Sequence, residues 1–196
     1  MSGHFERGVF FIFGKEMNTI ATVLHELVGQ YQARGLNNGG GLLPPADTSS
    51  ISKTEQMLGF SLPESLRMVY GVFGGQEYIA PGITGVFGSH RLHSPSEAAA
   101  TYDMFQKAEK FPGNDFPPED SLPGPDWSRW HPALIPFASW DAYNLVICRH
   151  TNRIYEFEPY SGLSERKFET MQSLLAAVLE AARTSAEPSL DFITTE

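Results

Sequence analysis

The chain has 196 residues, of which 41% are hydrophobic and 19% charged, a composition that excludes a largely disordered protein and suits one domain with a sizeable core. Fourteen basic residues against twenty-three acidic ones give a formal net charge of −9, which argues against nucleic-acid binding through a basic face and favours a basic partner. A single cysteine, Cys148 in an apolar run, excludes an intrachain disulfide and a cysteine-based zinc site, and we expect it to be buried in a protein of a reducing compartment.

An apolar run from Val9 to Phe13 (VFFIF) is the first feature along the chain. At five residues it is too short to cross a bilayer or to form the core of a signal peptide, and no other segment approaches the required length. We therefore expect a cytoplasmic protein with no membrane partner. Residues 1–17 are predicted to form an N-terminal extension, whose short apolar strand adds an edge to a sheet or pairs two copies in a homodimer.

Helical patterns fill most of the first half of the chain. Residues 18–34 predict an amphipathic helix, and residues 51–58 predict a second, shorter one. The apolar face of the first helix holds Ile20, Val23, Leu24, Leu27, Val28 and Tyr31. A third helix is predicted to open with a capping box at residues 61–64 (SLPE) and to stop at Gly74 and Gly75.

The second half of the chain alternates strand and helix patterns. A second capping box, at residues 94–97 (SPSE), predicts a helix to about Lys110. Strands are predicted at residues 133–137, 143–149 and 153–158, the last two forming a hairpin, and a final helix is predicted to begin near Ser164. Pro136 indicates an edge strand or a bulge.

The order of these elements indicates an α+β fold, with a mainly antiparallel sheet packed with about four helices. We expect one domain over residues 18–183, followed by a flexible tail over residues 184–196, where the periodicity stops.

Three segments in order resemble the SUKH superfamily. Residues 44–75 follow its pattern pPa…I…E..LG..LP..L…Y….GG, residues 130–137 (WHPALIPF) resemble its W.p..IPfa strand, and residues 168–179 resemble its closing helix. The glycines common at the turn after that strand are replaced here by residues 141–144 (DAYN), which leaves the geometry of this turn open. The resemblance implies a SUKH-like fold and a domain that binds proteins without catalysing a reaction.

No residue set in the sequence nominates a catalytic, cofactor or metal site. His90 and His93 are three residues apart, but no Asp, Glu or Cys lies close by to complete a metal site, so we interpret both as solvated loop histidines. We expect His25 to be exposed on the first helix and His131 to pack. The chain contains neither the nucleophile motif G-x-S-x-G nor the phosphate loop G-x-x-x-x-G-K. We therefore expect no enzyme, no cofactor and no bound metal.

An acidic, proline-rich loop is predicted at residues 111–129. Residues 111–126 hold four acidic residues and no Lys or Arg, and long loops in compact domains are often functional. Acidic groups with aromatic anchors suit a basic protein partner. The predicted partner-binding residues are Asp115, Phe116, Glu119, Asp120, Asp126, Trp127 and Trp130. A solvated loop whose tryptophans only pack into the core is the alternative.

By the resemblance, the chain is expected to be an immunity protein that binds and neutralises a cognate bacterial toxin, such as a basic nuclease. The alternative from the same superfamily is a regulatory or scaffold protein like the fungal cell-wall-synthesis regulators. Both hypotheses imply a protein partner, and neither involves nucleic acid.

Overall fold

The computed structural model describes residues 6–78, 85–108 and 130–185, and within these ranges it contains five α-helices and one five-stranded sheet. The helices are α1 (Glu6–Ala33), α2 (Thr48–Leu58), α3 (Glu64–Tyr70), α4 (Pro95–Ala108) and α5 (Met171–Thr184), with a short 3-10 turn at Asn37–Gly39. The strands are β1 (Arg91–Leu92), β2 (Leu134–Trp140), β3 (Tyr143–Cys148), β4 (Ile154–Glu158) and β5 (Gly162–Phe168). The prediction of an α+β fold with an antiparallel sheet is confirmed.

The sheet is a simple meander in the order β1-β2-β3-β4-β5, with every neighbouring pair antiparallel. Between Pro136 and Ala138 the register of β2 against β3 shifts by one residue. A proline has no N–H to donate to the ladder, so a bulge at Pro136 is the expected solution, as predicted.

The two faces of the sheet carry separate hydrophobic clusters, because successive side chains of a strand point to opposite faces. On β3, Leu145 and Ile147 belong to the cluster that includes the buried sides of α1, α3 and α5. Val146 and Cys148 belong to the cluster that α4 covers with Phe105. Cys148 is fully buried, as its apolar sequence context predicted.

The N-terminal strand prediction is wrong, because Val9 to Phe13 lie inside helix α1. Five consecutive apolar residues have no period that separates a strand from a helix. Here the run is continuous with the amphipathic helix that follows, and one helix crosses the predicted boundary between residues 17 and 18. None of the described helices is long and apolar enough to cross a membrane.

The start of the last helix was also predicted wrongly. Residues from Ser164 onward form strand β5, in which Phe168 pairs with Ile154 of β4. Helix α5 begins only after Thr170, whose side chain accepts a hydrogen bond from Ser173 N at 3.1 Å. This capping box fixes the helix start more strongly than the apolar spacing does.

The two capping boxes predicted further upstream have different outcomes. At α4, Ser94 N donates to Glu97 Oε2 at 2.7 Å and Glu97 N donates to Ser94 Oγ at 3.3 Å, so this box forms. At α3 the N-cap is Pro63, and Leu62 N donates to Glu55 of the preceding helix at 2.8 Å. The capping box predicted at residues 61–64 therefore does not form, and Glu55 of α2 instead binds the backbone N–H just before the N-cap.

Helix α3 ends at Tyr70, so Gly74 and Gly75 do not terminate it. Gly74 N donates to Pro44 O at 2.9 Å, and a Cβ on Gly74 would lie only 2.5 Å from that oxygen. The glycine is required there because two backbone segments touch.

Candidate partner-binding surface

Six of the seven predicted partner-binding residues, Asp115, Phe116, Glu119, Asp120, Asp126 and Trp127, lie outside the described residues, so their role stays a prediction. The seventh, Trp130, lies in the core at 1% exposure. Its ring is 4.8 Å from that of Phe105 and 5.2 Å from that of Phe157, measured between centroids. Trp130 therefore packs the helix α4 face of the sheet and is corrected from a surface anchor to a core residue.

Three exposed aromatic side chains lie together at one end of the sheet, whereas Tyr78, which is 76% exposed, lies on the segment before β1. The β2–β3 and β4–β5 turns both lie at this end, because alternate turns of an antiparallel meander are at the same end of the strands. Trp140 is 45% exposed, Tyr143 40% and Tyr160 92%. We call Trp140, Asp141, Tyr143, Glu158 and Tyr160 the hairpin-end surface.

Trp140 and Tyr143 form a stacked pair across the β2–β3 turn. They are register partners at the ends of their strands, their ring centroids are 6.0 Å apart, and the angle between the ring planes is 18°. Asp141, the first turn residue, has φ of 53°, a left-handed conformation that Asp and Asn tolerate better than most residues. The residue that replaces the expected glycine therefore still makes the tight turn, and it adds an exposed acidic residue to this end of the sheet.

Glu158 extends this arrangement onto the next strand. Asn144 pairs with Phe157, so the next residues along the two strands, Tyr143 and Glu158, lie opposite each other. Their side chains are on the face of the sheet that Asn144 and Phe157 do not occupy. The Glu158 carboxylate accepts hydrogen bonds from the Ser161 hydroxyl, from Ser161 N at 2.7 Å and from Tyr160 N at 3.2 Å. These bonds, the Ser161 hydroxyl first, hold the pKa of Glu158 below its usual value, so the group is ionised at neutral pH.

A cavity of about 250 Å³ opens at the same end of the sheet but on its other face. It is lined by residues of α4 and of both turns, and His93 and Ser139 lie in its wall. His93 Nε2 is 2.8 Å from Ser139 Oγ, a distance typical of a serine–histidine couple.

The chemistry of this couple is unfavourable for catalysis. Burial, reinforced by Arg91, lowers the pKa of His93 to about 4, so its imidazole is a weak base. His93 Nδ1 has no hydrogen-bond partner among the described residues, whereas nucleophile–base pairs are normally oriented by a third group at that nitrogen.

The histidines predicted to be solvated are buried. His90 is 2% exposed and His93 3% exposed, because both flank the short strand β1, which pairs with β2. His90 Nε2 lies 3.4 Å from Glu156 Oε1. Within the described ranges, no group of three or more His, Cys, Asp or Glu side chains could hold a metal ion.

The other two histidine predictions are confirmed. His25 is exposed, with its ring edge-on to Phe73 at 5.6 Å, and His131 is buried and accepts a hydrogen bond from Ala133 N at 2.9 Å. His25 and Phe73 also line an open, mainly apolar groove of about 520 Å³ beside Pro44 and Pro45.

Sequence reasoning missed the hairpin-end surface because its members are separated along the chain. A usable signal was nevertheless present: Trp140 and Tyr143 flank a two-residue turn, where the apolar pattern of a strand normally ends. Large aromatic residues at both ends of such a turn indicate exposed rings.

A family model described as the SMI1 / KNR4 family (SUKH-1) matches residues 45–176, which is more than half of the chain. The matched range includes the three segments that carry the SUKH resemblance, nearly in full, and the whole hairpin-end surface. No curated protein is similar enough to the chain to count as a match.

Proposed function

Because the chain belongs to the SMI1 / KNR4 family (SUKH-1), we propose that it is a non-catalytic protein-binding module, an immunity protein that binds and neutralises a cognate toxin. This family includes immunity proteins and regulators, and we choose between these two functions from the chemistry of the exposed hairpin-end surface. The observation that carries the proposal is the hairpin-end surface, an exposed aromatic and acidic cluster held on strand ends.

The aromatic residues suit a binding interface because they are preorganised. Trp140 and Tyr143 already stack on each other in the free protein, so little side-chain entropy is lost when a partner covers them. Large rings in such positions often dominate the free energy of association.

Charge supports a basic partner. Asp141 lies in the β2–β3 turn and Glu158 at the end of β4. Neither forms an ion pair with a basic side chain among the described residues, and the whole chain has a net charge of −9. The negative electrostatic potential of such a chain accelerates its association with a positively charged protein, for example a nuclease toxin. In this proposal the protein acts in the cytoplasm by covering the active site of the toxin.

The absence of catalysis is part of the proposal. It is supported by His93, whose lowered pKa and unbonded Nδ1 make the serine–histidine couple a poor nucleophile–base pair.

Co-expression with the toxin encoded beside this chain's gene tests the proposal. We expect the wild-type chain to restore growth and to form a complex on size exclusion. The double variant Trp140→Ala, Tyr143→Ala should weaken the complex by more than about tenfold, since it removes two central aromatic anchors. Met57→Ala is the matched control, because Met57 is 65% exposed but lies on α2, outside this surface.

Failure of the wild-type chain both to restore growth and to form a complex would refute immunity. Recovery of wall-synthesis proteins instead of one toxin from native lysate would favour the regulator.

A further inference from the structure

We propose that the hairpin-end surface receives an arginine side chain of the partner, with the guanidinium plane stacked on the Trp140–Tyr143 pair and one of its N–H groups bonded to Glu158. This inference rests on the proposed function, since it names the chemistry of the contact through which the partner is bound.

The first step concerns the rings. Trp140 and Tyr143 are roughly half exposed and nearly parallel, so the pair presents an open aromatic surface to solvent. The face of an aromatic ring carries negative partial charge and attracts a cation, Trp most strongly. The pair therefore favours a cationic group over a neutral one.

The second step concerns the carboxylate. Glu158 stays ionised, and the strand register places it next to Tyr143 on the same face of the sheet. A carboxylate offers about four acceptor sites, and the turn uses three of them, two at Oε2 and one at Oε1. Oε1 thus keeps one site for an incoming donor.

The third step selects arginine over lysine. A guanidinium is planar, so it stacks on a ring while its edge still donates hydrogen bonds, whereas an ammonium is a compact and strongly hydrated point charge. A ring pair beside one free carboxylate site matches the planar cation. Asp141, in the β2–β3 turn, adds a second negative charge at this end of the sheet.

A titration of the full-length, isotope-labelled protein with blocked tripeptides tests this inference. The probes are acetyl-Gly-Arg-Gly-amide and two further peptides in which lysine or citrulline replaces the arginine. Citrulline is the neutral isostere of arginine. We expect saturable shifts of the Trp140 indole N–H and of the amides of residues 141–143 and 158–161 with the arginine peptide. Lysine should bind more weakly, citrulline should cause no saturable shift, and added salt should weaken the arginine response.

Two variants locate the contact. Trp140→Leu and Glu158→Gln should each reduce arginine affinity about two- to fivefold, the size of an exposed cation–π contact. Glu169→Gln is the matched control, since it removes one exposed carboxylate at the opposite end of the sheet and should leave the affinity unchanged.

Equal shifts with citrulline, shifts confined to other residues, or no saturable shift would overturn the inference. Growth rescue without an arginine response would refute this contact and leave immunity standing. An arginine response without rescue would support the contact and refute immunity.

Discussion

At the scale of single residues, burial decides what His93 can do. Its ring is 3% exposed and bonded to Ser139, and burial lowers its pKa from 6.5 to about 4. Arg91 and His90 act in the same direction, and Glu97 opposes them. A histidine of this kind is kept neutral by the fold and acts as a packing and hydrogen-bonding residue.

The His93 shift predicts how stability depends on pH. In the unfolded chain His93 takes up a proton below 6.5, whereas the fold keeps it neutral down to about 4, so stability is lost as pH falls through this window. The full loss from this residue is on the order of 3 kcal/mol. Urea unfolding across the window should show a shallower decline for His93→Gln than for the wild type.

His25→Gln is the matched control, because His25 is exposed, and it should follow the wild-type curve. If His93→Gln declined as steeply as the wild type, the pH dependence would come from other groups.

At the scale of elements, local hydrogen bonds set boundaries that apolar spacing leaves undefined. The apolar pattern places the last helix near Ser164, but residues up to Phe168 pair with β4 and the helix starts after Thr170. Arg34 of the segment after α1 donates to Ala182 O near the end of α5, so these two helices are also joined by a polar contact. The presence of a last helix was predictable from the sequence, whereas strand β5 was missed because it depends on pairing with β4.

Thr170→Ala should destabilise the protein by about 1 kcal/mol, because it removes the side chain that accepts from Ser173 N at the start of α5. Thermal unfolding measures the change as a lower melting temperature. Thr170→Ser keeps the hydroxyl and should retain most of the wild-type stability, so equal losses in the two variants would argue against a capping role.

At the scale of the whole molecule, the N-terminal run from Val9 to Phe13 is part of helix α1 and not the predicted strand. As part of α1 it cannot extend the sheet as an edge strand. The predicted homodimer stays a prediction.

Deletion of residues 1–14 removes the first part of α1, and we expect it to lower the melting temperature or to change the oligomeric state. Sedimentation and thermal unfolding of both chains measure these effects. Deletion of residues 1–5 is the control, since it leaves the described helix intact. If both properties were unchanged in the longer deletion, neither role of the run could be maintained.

The sequence by itself determined the family, the α+β class, most helices and the strands β2, β3 and β4, because these depend on local periodicity, caps and the order of short motifs. It also determined the acidic balance, on which the proposal of a basic partner rests. Only the tertiary structure decided that Trp130, His90 and His93 are buried, since burial depends on what packs against a residue from elsewhere in the chain. The antiparallel register likewise decided the hairpin-end surface: it brings Glu158 beside Tyr143 across fifteen positions of sequence, and no local pattern encodes that pairing.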